Sequence, residues 1–178
     1  NENSMPVVNA ELEYNKGEIS MPEMLPYPIT NFNTSIKADI DLNNKSDVYL
    51  NYLNANMSNS SLALSGTVKD VMDKMYCNLN LKANADLDEL QSFVPEDIKA
   101  NGNVKLNVNA NVNKRQLDNM DFSKARVKGN LEGNAMDVVY CDTINVKADK
   151  LNVDFTLPNA ASEELTNSSQ VLQLLICM

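Results

Sequence analysis
The sequence predicts a mainly β protein: a long, curved antiparallel sheet made of two tandem β-meander repeats, with one or two short helices. The alternatives of an open groove and a sandwich- or barrel-like closure both stay open at this level. Two observations carry the prediction. Apolar and polar residues alternate strictly over long runs, which is the period of a strand with one face buried. A set of short strings also recurs in one order. Ile36-Lys37-Ala38-Asp39 returns as Ile98-Lys99-Ala100-Asn101, and Leu64-Ser65-Gly66 as Val127-Lys128-Gly129. Tyr76-Cys77 returns as Tyr140-Cys141, and Leu81-Lys82-Ala83-Asn84 as Val146-Lys147-Ala148-Asp149. The offset drifts from 62 residues at Ile36/Ile98 to 65 at Leu81/Val146, as it would if turns gained single residues while strands kept their order. Tandem units of this kind build extended surfaces by stacking rather than closed catalytic pockets.

Taken in order, residues 1–35 read as a hairpin over 7–21, turning at Asn15-Lys16-Gly17, then a connection in which Pro22, Pro26 and Pro28 forbid regular sheet. The first repeat spans 36–95. Ile36, Ala38, Ile40 and Leu42 face one way, and Lys37, Asp39 and Asp41 the other. Leu62, Leu64, Gly66 and Val68 repeat the pattern, as do Cys77, Leu79, Leu81, Ala83 and Ala85. Asp86 to Phe93 reads as a short helix with an acidic first turn, stopped by Pro95, whose Leu87, Leu90 and Phe93 would cap one edge of the sheet. The second repeat spans 96–158. Its cleanest run sets Ala100, Gly102, Val104, Leu106, Val108, Ala110 and Val112 against Asn101, Asn103, Lys105, Asn107, Asn109, Asn111 and Asn113. At about 3.3 Å per residue that strand exceeds about 40 Å, long for a globular domain. Ala125 to Ala135 form another. Alternation then changes frame at Asp149-Lys150, between Ile144-Val146-Ala148 and Leu151-Val153-Phe155-Leu157, which predicts a bulge or tight turn there. Residues 159–178 read as a helical segment N-capped by Ser162. Asn1 and the apolar run from Val171 to Ile176 lead us to expect a segment of a longer protein whose anchor lies outside it.

Composition narrows the function. A net charge of −9 argues against nucleic acid and against an anionic membrane surface. The chain has no His and no Trp, so the usual general base and the commonest metal ligand are missing, and aromatic platforms for sugars are sparse. Cys77, Cys141 and Cys177 are odd in number and lack metal-type spacing. Cys77 and Cys141 read as two small buried apolar residues, and a bridge between them would need Cα atoms within about 7 Å. The pairs Asp39/Asp41 and Asp86/Asp88 read as solvated charge rather than calcium ligands. Nothing activates a Ser, Lys or Cys nucleophile, and there is no phosphate-binding Gly loop. The expectation is a non-enzymatic protein without a cofactor or metal.

What stands out is the apolar face itself. A wide sheet with one apolar side must cover it with a second layer, by curling, or with a ligand. Its many Ala, Gly and Val positions suit tight curvature or a channel better than a thick core. The residues expected to line such a groove are Ile36, Ile40, Leu62, Leu64, Leu79, Leu81, Val104, Leu106, Val108, Val112, Val127 and Leu131.

The run Leu64-Ser65-Gly66-Thr67-Val68-Lys69-Asp70-Val71-Met72, followed by Leu79-Asn80-Leu81, by Ala85-Asp86-Leu87-Asp88-Glu89-Leu90 with Phe93 and Pro95, and by Gly102 with Val104-Lys105-Leu106, resembles the AsmA family. So does the block from Val127-Lys128-Gly129 to Phe155. The resemblance covers roughly residues 30–158, through degenerate motifs. It implies a periplasmic β-rich body, an inner-membrane anchor in the parent protein, and a role in outer-membrane assembly or phospholipid transport. The partners so implied are a phospholipid or other acyl-chain lipid and other envelope-assembly proteins. The rival expectations are a structural or interaction module of the cell envelope without lipid cargo and, behind it, a carbohydrate-binding module.

Overall fold
The computed structural model describes residues 6–41, 45–119 and 125–157. These residues form one open antiparallel sheet of eight strands in simple meander order. The strands are β1 (Val7–Ile19), β2 (Ile29–Asp41), β3 (Asp47–Met57), β4 (Ser60–Lys69), β5 (Tyr76–Asp86), β6 (Ile98–Asn113), β7 (Arg126–Tyr140) and β8 (Ile144–Leu157). Each pairs with its neighbour in the chain, so β1 and β8 are the two edges. Alternating β-branched and leucine residues with few glycines explain the long strands. No helix among the described residues is long and apolar enough to cross a membrane.

The sheet is one continuous system, as the pattern predicts, but the two halves are not equivalent. Tyr76-Cys77 opens β5, whereas Tyr140 closes β7 and Cys141 lies in the β7–β8 turn. The string at Ile36 lies inside β2, and its counterpart at Ile98 starts β6. The recurring strings fall in non-adjacent strands, β2 and β6, β4 and β7, β5 and β8, and β3 lies between the first two members without a counterpart strand among the described residues. Cys77 and Cys141 accordingly sit at opposite ends of the sheet as free thiols, the first buried and the second exposed. Burial pushes the Cys77 thiol pKa up.

Irregularities in the ladder explain the other departures. The expected hairpin over 7–21 is the single strand β1. Asn15-Lys16-Gly17 forms a bulge rather than a turn, with Lys16 at φ 58° and its N–H donating to Asn33 Oδ1 at 2.8 Å. Residues that suit a hairpin turn also suit a bulge, and pairing with β2 carries the chain straight on. The expected frame change at Asp149-Lys150 is present without a register shift, because β7 changes frame opposite it: Gly133 pairs with Leu151 and Met136 with Ala148. The extra residue is Ala135 in β7, at φ 48°, facing Gly102 of β6 at φ 111°. Met136 lies against the face of Gly133, so the bulge keeps both strands' apolar residues on one side. Residues 87–90 are turns leading into a short 3-10 helix, Gln91–Phe93, and not an α-helix. Gln91 binds the start of strand β6 instead, donating from Nε2 to the Ile98 carbonyl (2.6 Å) and accepting from the Ala100 N–H (3.1 Å). The expected helix after Ser162 lies outside the described residues.

Glu89 ties that turn to the β3–β4 hairpin. The residue is 7% exposed, and its carboxylate accepts from the Asn59 N–H (2.8 Å), the Ser60 N–H (3.1 Å) and the Ser60 hydroxyl (2.7 Å). Burial pushes its pKa up, but the hydrogen bonds from Asn59, Ser58 and Ser60 together outweigh it and hold the carboxyl below its ordinary 4.5. A depressed folded-state pKa means stability that is full above the unfolded value and lost as pH falls through the folded one. Glu89→Gln should therefore cost about 1–2 kcal/mol in urea unfolding at neutral pH. The deficit should shrink in acid, where the wild-type carboxyl is protonated.

Candidate functional site: the apolar face
Cross-strand partners in an antiparallel pair project to the same side, so the register maps the face directly. One row crosses all eight strands as Leu12, Ile36, Leu50, Gly66, Leu79, Ala110, Val127 and Leu157. The next is Tyr14, Thr34, Leu53, Leu64, Leu81, Val108, Gly129 and Phe155. Beside it run Ala55, Leu62, Ala83, Leu106, Leu131 and Val153. Toward one end lie Ala38, Val48, Val68, Cys77 and Val112, with Ile40 paired to Val8. Toward the other lie Ala85, Val104, Gly133 and Leu151. All the residues expected to line a groove therefore share one face. At about 4.8 Å per strand the face is roughly 34 Å wide.

Nothing covers it among the described residues. Among the described residues the only buried apolar side chains are Cys77 and Ala125. Leu81, Val104, Leu106, Val108 and Leu131 are half-buried, while Leu62 is 39% exposed, Leu157 49% and Leu12 57%. The described residues therefore form one layer where a globular sheet protein has two. At Gly129 the large neighbour Phe155 fills the gap, its ring lying where a β-carbon would project. This keeps the surface continuous at a position with no side chain of its own. At the β3–β4 end the face deepens to a concavity of about 270 Å³, with Ile29, Met57, Leu62, Ala83 and Leu90 among its lining. Leu90 comes from the segment expected to cap the sheet edge, whereas Phe93 stays 52% exposed.

The opposite face is polar and exposed. Asn78, Asn80, Asn107, Asn109 and Asn111 are exposed there. Asn130 Nδ2 donates to Asn152 Oδ1 (2.7 Å) and Asp154 Oδ1 (2.9 Å), and Tyr52 donates to Glu13 (3.2 Å). Asp39 pairs with Lys37 at 3.1 Å, and Asp86 accepts from the Asp88 N–H at 3.1 Å. Among the described residues no three acidic or thiol side chains gather closely enough to hold a metal ion. Asn107→Ala should change the urea midpoint by less than about 0.5 kcal/mol equivalent, as a solvated surface change. Leu106→Asp should cost clearly more, because it breaks the row linking Ala83 to Leu131. Equal stabilities would contradict the facing.

Several face residues escaped sequence reasoning. Strand β3 was missed because Asn51 is an extra residue there, so Val48 and Leu50 are even while Leu53, Ala55 and Met57 are odd. Tyr14 in β1 escaped because the strand was read as a hairpin. The helix α1 (Lys114–Asp118) was also missed, although its signal is present. Asn113 and Gln116 form a reciprocal capping box: the Asn113 N–H donates to Gln116 Oε1 (2.8 Å) and the Gln116 N–H to Asn113 Oδ1 (3.0 Å). No family model, curated protein or solved structure matches this chain.

Proposed function
We propose that the apolar face shields lipid acyl chains, as part of an AsmA-like envelope protein acting in outer-membrane assembly or phospholipid transport. The observation that carries this is an apolar row, from Leu12 through Gly66 to Leu157, that crosses all eight strands with no layer packed over it among the described residues. Moving an acyl chain out of a bilayer costs about 0.8 kcal/mol per CH₂, on the order of 10 kcal/mol for a whole chain. Only a continuous apolar surface offsets that, and an interruption at any strand would leave methylenes in water. In this reading the polar Asn face meets solvent, the protein works in the periplasm without catalysis or cofactor, and the parent protein is anchored in the inner membrane.

A second reading is an interaction module without cargo, favoured by the two open sheet edges. The experiment is lipid extraction and native mass spectrometry of the purified protein, followed by titration of a fluorescent acyl probe. Bound lipid and saturable probe binding are expected. A protein that carries no lipid and binds no probe would leave the interaction module as the better account.

A further inference from the structure
Long edge strands invite pairing with another chain, and proteins blunt them with prolines, bulges, charges or short length; here the bulge of β1 and the charges of both edges have counterparts on the other edge. Neither β1, of 13 residues, nor β8, of 14, contains a proline. Both keep large apolar residues exposed on the apolar face, including Leu12 and Tyr14 on one and Val153 and Leu157 on the other. Their patterns also match. Along β1 the face residues are Val8, Ala10, Leu12 and Tyr14, then a two-residue break at Asn15-Lys16, then Gly17 and Ile19. Read backwards, β8 gives Leu157, Phe155, Val153 and Leu151, then a two-residue break at Lys150-Asp149, then Ala148 and Val146. Laid antiparallel, one register aligns both the runs and the break, with Tyr14 against Leu151 and Gly17 against Ala148. A one-residue slip turns apolar residues to the polar face, and a two-residue slip separates the breaks. The same register sets Lys16 opposite Asp149 and Glu18 opposite Lys147, and leaves Glu11 and Asp154 as its like-charge pair.

We propose that β8 of one copy pairs antiparallel with β1 of the next in this register, so that the sheet and its apolar face continue from copy to copy. The contact joins different surfaces of the two copies and therefore grows open chains rather than closed dimers. The inference is independent of the lipid reading, since edge pairing needs no cargo.

Sedimentation of the full chain should show a weight-average mass that climbs with concentration without a dimer plateau. A monomer at every concentration would overturn the proposal. Glu18→Lys should weaken association about fivefold, and Lys147→Glu in the same chain should restore it, as expected for a cross-strand ion pair. Unchanged association in the single variant would reject this register. A cross-linking arm reads the same contact. In a background of Cys77→Ala, Cys141→Ser and Cys177→Ser, Leu12→Cys and Val153→Cys are made in separate chains. Mild oxidation should give a disulfide-linked dimer only when the two chains are mixed. A disulfide in either chain alone would mean like edges or faces meet, and would overturn head-to-tail pairing.

Discussion
Val108→Asp should abolish acyl-probe binding and lipid co-purification while the protein stays folded. Val108 sits near the middle of the face, between Leu81 on β5 and Gly129 on β7, and is half-buried in a single layer. Water therefore reaches a carboxylate placed there, and the folded protein avoids the desolvation that makes a charge in a closed core so costly. An acyl chain lying on the face would have to desolvate that same carboxylate. A penalty of about 3 kcal/mol or more corresponds to at least a hundredfold loss of affinity. Leu131→Glu, one strand across and one row away, should behave alike. The measurements are far-UV circular dichroism with a urea midpoint, and probe titration on the same samples. Unfolding of both variants would mean that the face is covered in solution and would remove the basis of the lipid reading. Folded variants that bind the probe as wild type does would remove it too.

The largest stability effect should come from Gly102→Val. Gly102 holds φ +111°, a conformation that costs a β-branched residue dearly, and an added β-carbon would meet the Ala135 carbonyl oxygen at 2.6 Å. Because that neighbour is backbone within the facing strand, it cannot swing away as a side chain would. The expected loss is about 3 kcal/mol or more, seen as a lower urea midpoint. Across the ladder, Ala135→Gly should have the opposite sign. Ala135 is at φ 48°, and relieving it should gain up to about 1 kcal/mol. A neutral Gly102→Val would mean that the β6–β7 bulge is not built this way, and with it the rephasing that brings Met136 onto the face of Gly133.

Legibility varied with local regularity. In β5 and β6 the alternation is unbroken, and the residues picked from the sequence fall on one face. In β3 a single extra residue, Asn51, hid the strand, because a period-2 reading loses phase at every bulge. At Asn15-Lys16-Gly17 the same residue types serve a hairpin turn or a bulge, and pairing with β2 chose the bulge. From Asp86 to Phe93 acidic residues and spaced leucines suit a short helix. The hydrogen bonds of Glu89 to the β3–β4 turn and of Gln91 to β6 hold that segment as turns and a 3-10 helix instead.

Alternation acts through the geometry of each strand alone, so the sequence by itself determined the mainly β class and, within each regularly alternating strand, which side chains share a face. Whether that face is enclosed is a different kind of property. It depends on whether distant strands, here β1 and β8, meet to close a barrel or fold over as a second layer, and on how many bulges twist the sheet between them. Those are long-range relations that no local pattern encodes, and the tertiary structure decided them. The meander runs from edge to edge without closing, Ala135 and Asn51 reset its phase where pairing demands, and Val108, Leu106 and Leu131 are left half-buried on an open apolar face rather than sealed inside a core.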